Sequence, residues 1–334
     1  MNAYIKDIAY YLPKTEVTNE AIVRDFPEWS VEKIALKVGV DKRHVAAEDE
    51  TALNMAIKAA ERLYQNENIK KEDIDFLLFC TQSPDYKLPT SACIIQHQLG
   101  LRKDIGALDF NLGCSGYVYG LSLAKGLICS GIAKNVLSLT GETYSKHLHP
   151  RDKGNRTIFG DAASATGIST SGIAKIGNFS LGTDGSGAEN LIIKSGGMRC
   201  PEKQNDLWFD ENGNPVSSDY LYMNGSEIFT FTLDNVPPLV EDVLLRNTIT
   251  KDEIDLYVFH QANKYMLNFL RKKIKIGSER FYICLSEYGN TVSNTIPIAL
   301  FNAIDDKTIS GKFKVMLAGF GVGYSWGGTV LYFG

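Results

Sequence analysis

Short apolar runs of strand length alternate along the chain with longer segments whose apolar residues recur at helical spacing. KKEDIDFLLFCTQ (70–82) and ITKDEIDLYVFHQA (249–262) each read as a polar loop entering a short apolar strand, whereas TALNMAIKAAERLYQNE and YMLNFLRKKI read as helices. This alternation predicts an α/β fold of mixed or largely parallel sheets covered by helices. In such sheets chemistry gathers at strand carboxyl ends, where the chain turns into the next helix.

The pattern occurs twice. Lys71, Ile74, Asp75 and Phe79 fall on Lys251, Ile254, Asp255 and Phe259 at a displacement of 180 positions. ALDFNLGCSGYVYGLSLAKGLI then resembles YICLSEYGNTVSNTIPIALFNAI, with Gly113-Cys114-Ser115 on Gly289-Asn290-Thr291 at a displacement of 176. NVLSLTGETYS, from Asn135, resembles KVMLAGFGVGYS, from Lys314, each a buried strand running into a glycine-containing turn. Three matches in one order predict a duplication, with halves at 1–174 and 175–334. The boundary region, Ser171 to Gly177, is where strand-like ASATGIST gives way to turn-rich GIAKIGNFSLGTDGSG. Cys114 and Asn290 then occupy equivalent strand-to-helix turns in opposite halves, and His260 closes its own strand. Pseudo-twofold packing of the halves brings all three together.

Composition narrows the classes. The 334 residues, 44% hydrophobic and 22% charged, supply more than one small core. With 35 basic and 39 acidic residues spread along the chain, for a net charge of -4, no basic stripe is available for nucleic acid. The opening MNAYIKDIAYYLPKTEV lacks a basic region followed by an apolar one, and no apolar run reaches membrane-spanning length, so a soluble, cytoplasmic protein without membrane contact is expected. Cys80, Cys93, Cys114, Cys129, Cys200 and Cys284 include no CxxC pair, so reduced thiols are expected, with no metal site and no disulfide framework.

DFNLGCSGYVYG (109–120) sets Cys114 among small residues just before a buried helix. At such a turn, unpaired amides and the helix dipole favour a thiolate and lower the thiol pKa. Gly113, Ser115 and Gly116 leave room for an acyl group and amide donors for an oxyanion. The same residues also suit a cysteine that merely fills space at a crowded helix start, and this stretch alone leaves both readings open. In YVFHQANKYM an apolar run meets a polar turn holding His260 and Asn263, and Asn290 lies in EYGNTVSNTIP. A histidine and an asparagine together can donate two hydrogen bonds to a thioester oxygen and stabilise an enolate without a metal. GFGVGYSWGG (319–328) lacks the spacing and lysine of a phosphate loop, and suits a tight turn that offers amides to the site.

At these residues the chain resembles the thiolase superfamily, and within it the β-ketoacyl-acyl-carrier-protein synthase III family. IAYYLPKTEVTN, KVGVDKRH, PTSACIIQHQLG, the Cys114 turn, RTIFGDAASA, HQAN, YGNTVSNTIP and GFGVGYSWG appear in family order, nearly end to end. The resemblance implies a duplicated thiolase-like fold, five-layered α-β-α-β-α with two mixed sheets, usually a homodimer. It implies that Cys114 is the acylated nucleophile and that His260 and Asn290 bind the malonyl thioester carbonyl and promote decarboxylation. The backbone amides of Cys114 and Val322 become the oxyanion donors. No cofactor is held permanently; acyl-CoA and a malonyl thioester, carried by acyl carrier protein, are substrates. Trp29 matches a residue that stacks on the CoA adenine, and Lys37 and Lys153 fall where arginines commonly lie near the nucleotide. Gly225, Phe229 and Asn263 match the pantetheine channel. Leu88 matches a residue sent across a dimer interface to close the neighbouring acyl pocket.

Several positions depart from the pattern. Tyr265 and Thr230 replace basic residues of the carrier-docking face, although Lys272 and Lys273 remain nearby. Val322 stands where a glycine is usual. A longer loop at Glu32 to Leu36 and the acidic insertion EKQNDLWFDENGNP are expected to reshape the substrate entrance. Condensation is therefore weighed against acyl transfer from the same cysteine to an oxygen or nitrogen acceptor, a specialised pathway, and a non-catalytic acyl-binding subunit. Intact Cys114, His260 and Asn290 argue against the last. Gln82, where hydroxymethylglutaryl-CoA synthase uses a glutamate base, and the lack of a second cysteine in the closing turn argue against two other superfamily activities.

Overall fold

The computed structural model describes every residue except Asn212, one position of the acidic insertion, which lies outside the described residues. The main sheet uses β1 (Tyr4–Tyr11), β2 (Phe76–Cys80), β3 (Gly106–Phe110), β4 (Asn135–Glu142), β5 (Ala162–Ser169), β6 (Ala174–Ile176), β7 (Ser180–Thr183), β8 (Leu256–Phe259), β9 (Phe313–Gly321) and β10 (Ser325–Phe333). Packed on it are α1 (Ala52–Gln65), α2 (Ser91–Gln98), α3 (Gly116–Cys129), α4 (Gly225–Asn247), α5 (Lys264–Lys273) and α6 (Thr295–Asp305).

Alternate residues of each strand face opposite layers, as the pleat requires. Leu78 of β2 turns inward to Val118 and Leu121 of α3, whereas Leu77 and Phe79 turn outward to α1 and to Ile95 of α2. In the other half Leu256, Val258 and Leu317 reach the same central cluster, which includes Ile296 and Leu300 of α6. Tyr257, Phe259 and Met316 pack outward with Leu239 of α4 and Leu267 of α5. The layers are therefore α-β-α-β-α, with α3 and α6 in the middle.

The strand order is β8-β9-β10-β6-β1-β5-β4-β2-β3, with β7 beside β10. β2 runs parallel to β3 and β4, and β8 parallel to β9. The two mixed halves of the sheet are stitched together by β6, whose Lys175 pairs with Tyr4 of β1 on one side and Tyr332 of β10 on the other. Asp75 and Asp255, equivalent in the repeat, act alike. Asp75 Oδ2 accepts from the amides of Lys134 and Asn135 at 2.8 and 3.0 Å, and Asp255 Oδ2 from the amide of Lys314 at 2.7 Å. Each carboxylate, just before its own strand, thus pins that strand to the start of its parallel neighbour.

The segment expected as a loop at Glu32 to Leu36 is part of a helix, Val31–Lys37. Ser30 caps it by accepting from the Lys33 amide, and Ile34 anchors its one buried face.

Candidate active site

Cys114 stands between β3 and α3 in a turn closed by the Gly116 amide donating to the Gly113 carbonyl at 2.8 Å. It is 7% exposed, among Tyr144, Leu148, Phe159 and Leu191. Its own amide and that of Val322 both hydrogen-bond Sγ. Gly321, at the end of β9, comes so close that a Cβ there would lie 2.9 Å from Cys114 Cβ and 3.0 Å from Sγ. A side chain at 321 would fill the site.

The expected lowering of the Cys114 pKa is overturned. Burial pushes the thiol up to about 12, and the nearby Glu142 carboxyl adds to this; the two amides pull the other way and lose. A helix terminus contributes only about 0.3–1 kcal/mol, whereas taking a thiolate out of water costs several times that. Glu142 is itself buried, and desolvation pushes it up to about 8, although its oxygens accept from the Gln82 amide at 2.9 Å and from Ser83 Oγ at 3.1 Å.

Asn290 comes from the carboxyl half but is held by the amino half. Its amide donates to the Ile158 carbonyl at 2.8 Å, and its carbonyl accepts from Gly160 at 3.1 Å. Gly289 before it has φ +70°, and a Cβ there would meet the Ile158 carbonyl at 2.7 Å. Asn290 Oδ1 accepts from the Val292 amide at 2.9 Å, which leaves Nδ2 as the donor available to a ligand.

His260 follows β8, its amide donating to the Ala318 carbonyl at 2.8 Å. The ring is buried, and desolvation brings its pKa down to about 3, with the Val292 carbonyl pulling upward; it is neutral near pH 7. Nδ1 lies 2.7 Å from Thr295 Oγ1, a hydroxyl that also has the Val292 carbonyl at 3.1 Å. In the orientation recorded, the single Thr295 proton goes to the Val292 carbonyl; rotated onto Nδ1 it leaves the ring proton on Nε2 and makes the neutral imidazole a donor. Thr295 escaped the sequence reading because its contact depends on α6 starting beside the end of β8; the only signal is its place in VSNTIP, five residues after Asn290.

Cys114, His260 and Asn290 line one cavity of about 160 Å³, with Gly225, Asn263 and Phe159 also in its wall. Asn263 caps α5 by accepting from the Met266 amide at 2.8 Å. Phe229 lies beside this cavity rather than in its wall, stacked on Tyr265 with ring centroids 5.8 Å apart. Trp29 is partly buried on the same core cluster as Ile158 and Ile228, with Lys33 over its ring at 4.9 Å. Lys153 is further out, paired with Glu28 at 3.1 Å, and Lys37 is exposed at the end of its helix. Leu88 is 81% exposed and does not reach the cavity of its own chain.

Comparisons with known proteins identify the family and the fold. Residues 108–185 match the family model described as 3-oxoacyl-[acyl-carrier-protein] synthase III, and residues 244–333 match the model of its C-terminal part. The chain is 34% identical over 331 residues to β-ketoacyl-[acyl-carrier-protein] synthase III of Clostridium perfringens, covering 99% of each. Among solved structures, a 3-oxoacyl-(acyl-carrier-protein) synthase III determined at 2.1 Å superposes with a TM-score of 0.97 at 46% identity, covering 100% of both chains. The 3-oxoacyl-(acyl-carrier protein) synthase of Burkholderia xenovorans gives 0.92 at 38% identity, covering 100% of this chain and 95% of the other. The layered, duplicated architecture is thiolase-like. The chain belongs to the β-ketoacyl-[acyl-carrier-protein] synthase III family of condensing enzymes.

Proposed function

We propose that the protein condenses an acyl-CoA with malonyl-acyl-carrier protein, losing carbon dioxide and giving a 3-oxoacyl thioester. The observation that carries this reading is that Cys114 of one half and His260 and Asn290 of the other open on one cavity, with two backbone amides aimed at the sulfur. Cys114 attacks the acyl-CoA carbonyl; the oxyanion takes hydrogen bonds from the amides of Cys114 and Val322, the C–S bond to CoA breaks, and the thiol proton leaves with CoA. A malonyl thioester then enters. Its C–CO₂ bond breaks, the electron pair forms an enolate, and the enolate oxygen is held by His260 Nε2–H and Asn290 Nδ2. The enolate carbon attacks the acyl-cysteine, the C–S bond to Cys114 breaks, and the released thiolate takes up a proton from solvent to restore the thiol. Because the free thiol is high in pKa, acylation depends on positioning and on charge stabilisation as the carbonyl is attacked, rather than on a standing thiolate.

Gly225, Phe229 and Asn263 border the path for the pantetheine arm, with Trp29, Lys37 and Lys153 toward the nucleotide. The carrier docks by Lys272 and Lys273 beside the exposed rings of Tyr265 and Phe269, which pack on the partly buried Phe229. A homodimer is part of the same reading: β3 is an edge strand, and Leu88 projects from the chain, available to close a second copy's acyl pocket. The duplication is likewise part of this reading, supported by the shared roles of Asp75 and Asp255; its proposed boundary at 174/175 falls within β6, the strand bonded to both halves. Among the described residues no helix is long and apolar enough to cross a membrane; a cytoplasmic enzyme suits the unpaired cysteines and these substrates.

The test is to incubate the protein with a panel of acyl-CoAs, map any mass increase, then add malonyl-CoA or malonyl carrier protein and follow carbon dioxide release. Labelling of Cys114 followed by condensation is expected. Labelling confined to another cysteine would sink the mechanism. Labelling without condensation would favour acyl transfer to an oxygen or nitrogen acceptor, the reading to which the aromatic docking face lends support.

A further inference from the structure

The acidic insertion forms a small hairpin, with Trp208 paired to Val216 and Phe209 to Pro215. Its base is fixed: Asp206 Oδ1 accepts from the Ser218 amide and from Ser217 Oγ, each at 2.9 Å, and Asp219 accepts from the amides of Gln204 and Asn205 at 2.8 and 2.9 Å. Phe209 packs on the loop that leads to Lys153. The Arg151 guanidinium lies over its ring at 4.3 Å, and His149 meets it edge-on at 6.0 Å while also contacting Tyr220 at 4.8 Å. Gly213, near the hairpin tip, lines an outer cleft of about 590 Å³ together with Asp25, Glu28, Arg151, Lys153 and Arg156. This cleft shares Pro150 and Arg156 with an adjoining hollow, and that hollow shares Phe159 with the Cys114 cavity.

The charges in the cleft do not cancel. Lys153 pairs with Glu28 at 3.1 Å and Arg156 with Asp25 at 2.8 Å. Arg151 has no carboxylate partner among the described residues, and its contact is the ring of Phe209. A stacked guanidinium keeps its in-plane N–H groups for an anion and loses less freedom when it binds one.

We propose that this hairpin is a specificity element for the phosphate-bearing end of CoA, in which Phe209 positions Arg151 to bind a CoA phosphate. The proposal rests on the reading of the site as an acyl-CoA site. Its consequence is selective: it strengthens the hold on a CoA-borne donor and does nothing for a thioester carried on pantetheine alone.

The full chain is titrated calorimetrically with CoA, 3′-dephospho-CoA and pantetheine, and KM and kcat are measured for acyl-CoA and acyl-pantetheine. Arg151→Ala and Phe209→Ala are each expected to weaken CoA and raise the acyl-CoA KM by about tenfold, with kcat and the pantetheine values within about twofold of wild type. Phe209→Tyr, which keeps the ring, is expected to behave as wild type. If 3′-dephospho-CoA binds the wild type as weakly as CoA binds Arg151→Ala, the 3′-phosphate is the group held; if it binds like CoA and stays sensitive to Arg151→Ala, the diphosphate is. Unchanged CoA binding in both alanine variants overturns the proposal. Equal weakening of CoA and pantetheine also overturns it, since the hairpin would then be only a structural prop. CoA binding that depends on Arg151 in a protein whose Cys114 is never acylated would sustain the proposal while defeating the condensing mechanism.

Discussion

In the amino half the residue after Phe79 is Cys80, and in the carboxyl half the matching residue after Phe259 is His260. Each side chain reaches the start of its own half's central helix: Cys80 Sγ donates to the Leu112 carbonyl at 3.0 Å just before α3, and His260 Nδ1 meets Thr295 at the start of α6. Two turns later in the repeat the partners are Cys114 and Asn290. The scaffold positions are alike, but Cys80 is sealed, its thiol pushed well up by burial, whereas His260 borders the cavity. A shared position therefore supplies reach to the helix start, and the side chain placed there decides between packing and chemistry. One half has been filled to hold a nucleophile still; the other offers hydrogen-bond donors to the space in front of it.

The sharpest way to break this contrast is Cys114→Ala, which is expected to abolish acyl labelling while Cys80, still present, stays unlabelled on peptide mapping. Labelling of Cys80 in that variant would erase the distinction between the two thiols. Next, His260→Ala is expected to slow malonyl decarboxylation by roughly 10²–10⁴-fold, the usual worth of a positioned acid-base group, and to slow acylation far less; equal losses would contradict the division of labour. On the packing side, a Cβ at Gly116 would lie 2.3 Å from Cys80 Sγ, so Gly116→Ala should cost about 1–3 kcal/mol in denaturant unfolding. Adding Cys80→Ala should return part of that loss, and no recovery would show that the cysteine is not what fills the space. Thr295→Val is expected to slow decarboxylation about tenfold, by freeing Nδ1 to hold the proton, with Thr295→Ser close to wild type.

The smallest effect concerns Glu142. Its folded carboxyl lies near 8, above the ordinary 4.5, so the folded state holds the proton more tightly and the residue's contribution to stability falls as pH rises from 4.5 through 8. Glu142→Gln should therefore gain on the wild type across that window and level off above it. Above pH 8 iodoacetamide should also alkylate Cys114 a few-fold faster in the variant, because the neighbouring carboxylate is gone; a faster rate only below pH 6 would contradict the electrostatic account.

The layers and the duplication were legible because burial on one face of each strand leaves a period of two, and because Asp75 and Asp255 repeat with their flanking apolar residues. The meeting of Cys114, His260 and Asn290 was legible from the same repeat. The Cys114 pKa was not, since local composition at 113–116 shows the amides but not Tyr144, Leu148 and Leu191 closing around the sulfur from distant segments. The helix at Val31–Lys37 was overlooked because a single buried residue, Ile34, gives too weak a pattern, although the Ser30 cap was present. Phe209 and Arg151 are 58 positions apart and have no shared periodicity; their contact exists only once the insertion folds back on the loop.

β6 is only three residues long, yet it is bonded to both halves: the Ile176 amide donates to the Ala3 carbonyl at 2.9 Å and the following Gly177 amide to Val330 at 2.8 Å. A swinging of one half against the other would have to tear that seam, and with it the grip of Ile158 and Gly160 on Asn290. The molecule is thus denied a hinge. Turnover has to be accommodated by side chains at the rim, while the reacting groups keep a fixed spacing from one half-reaction to the next.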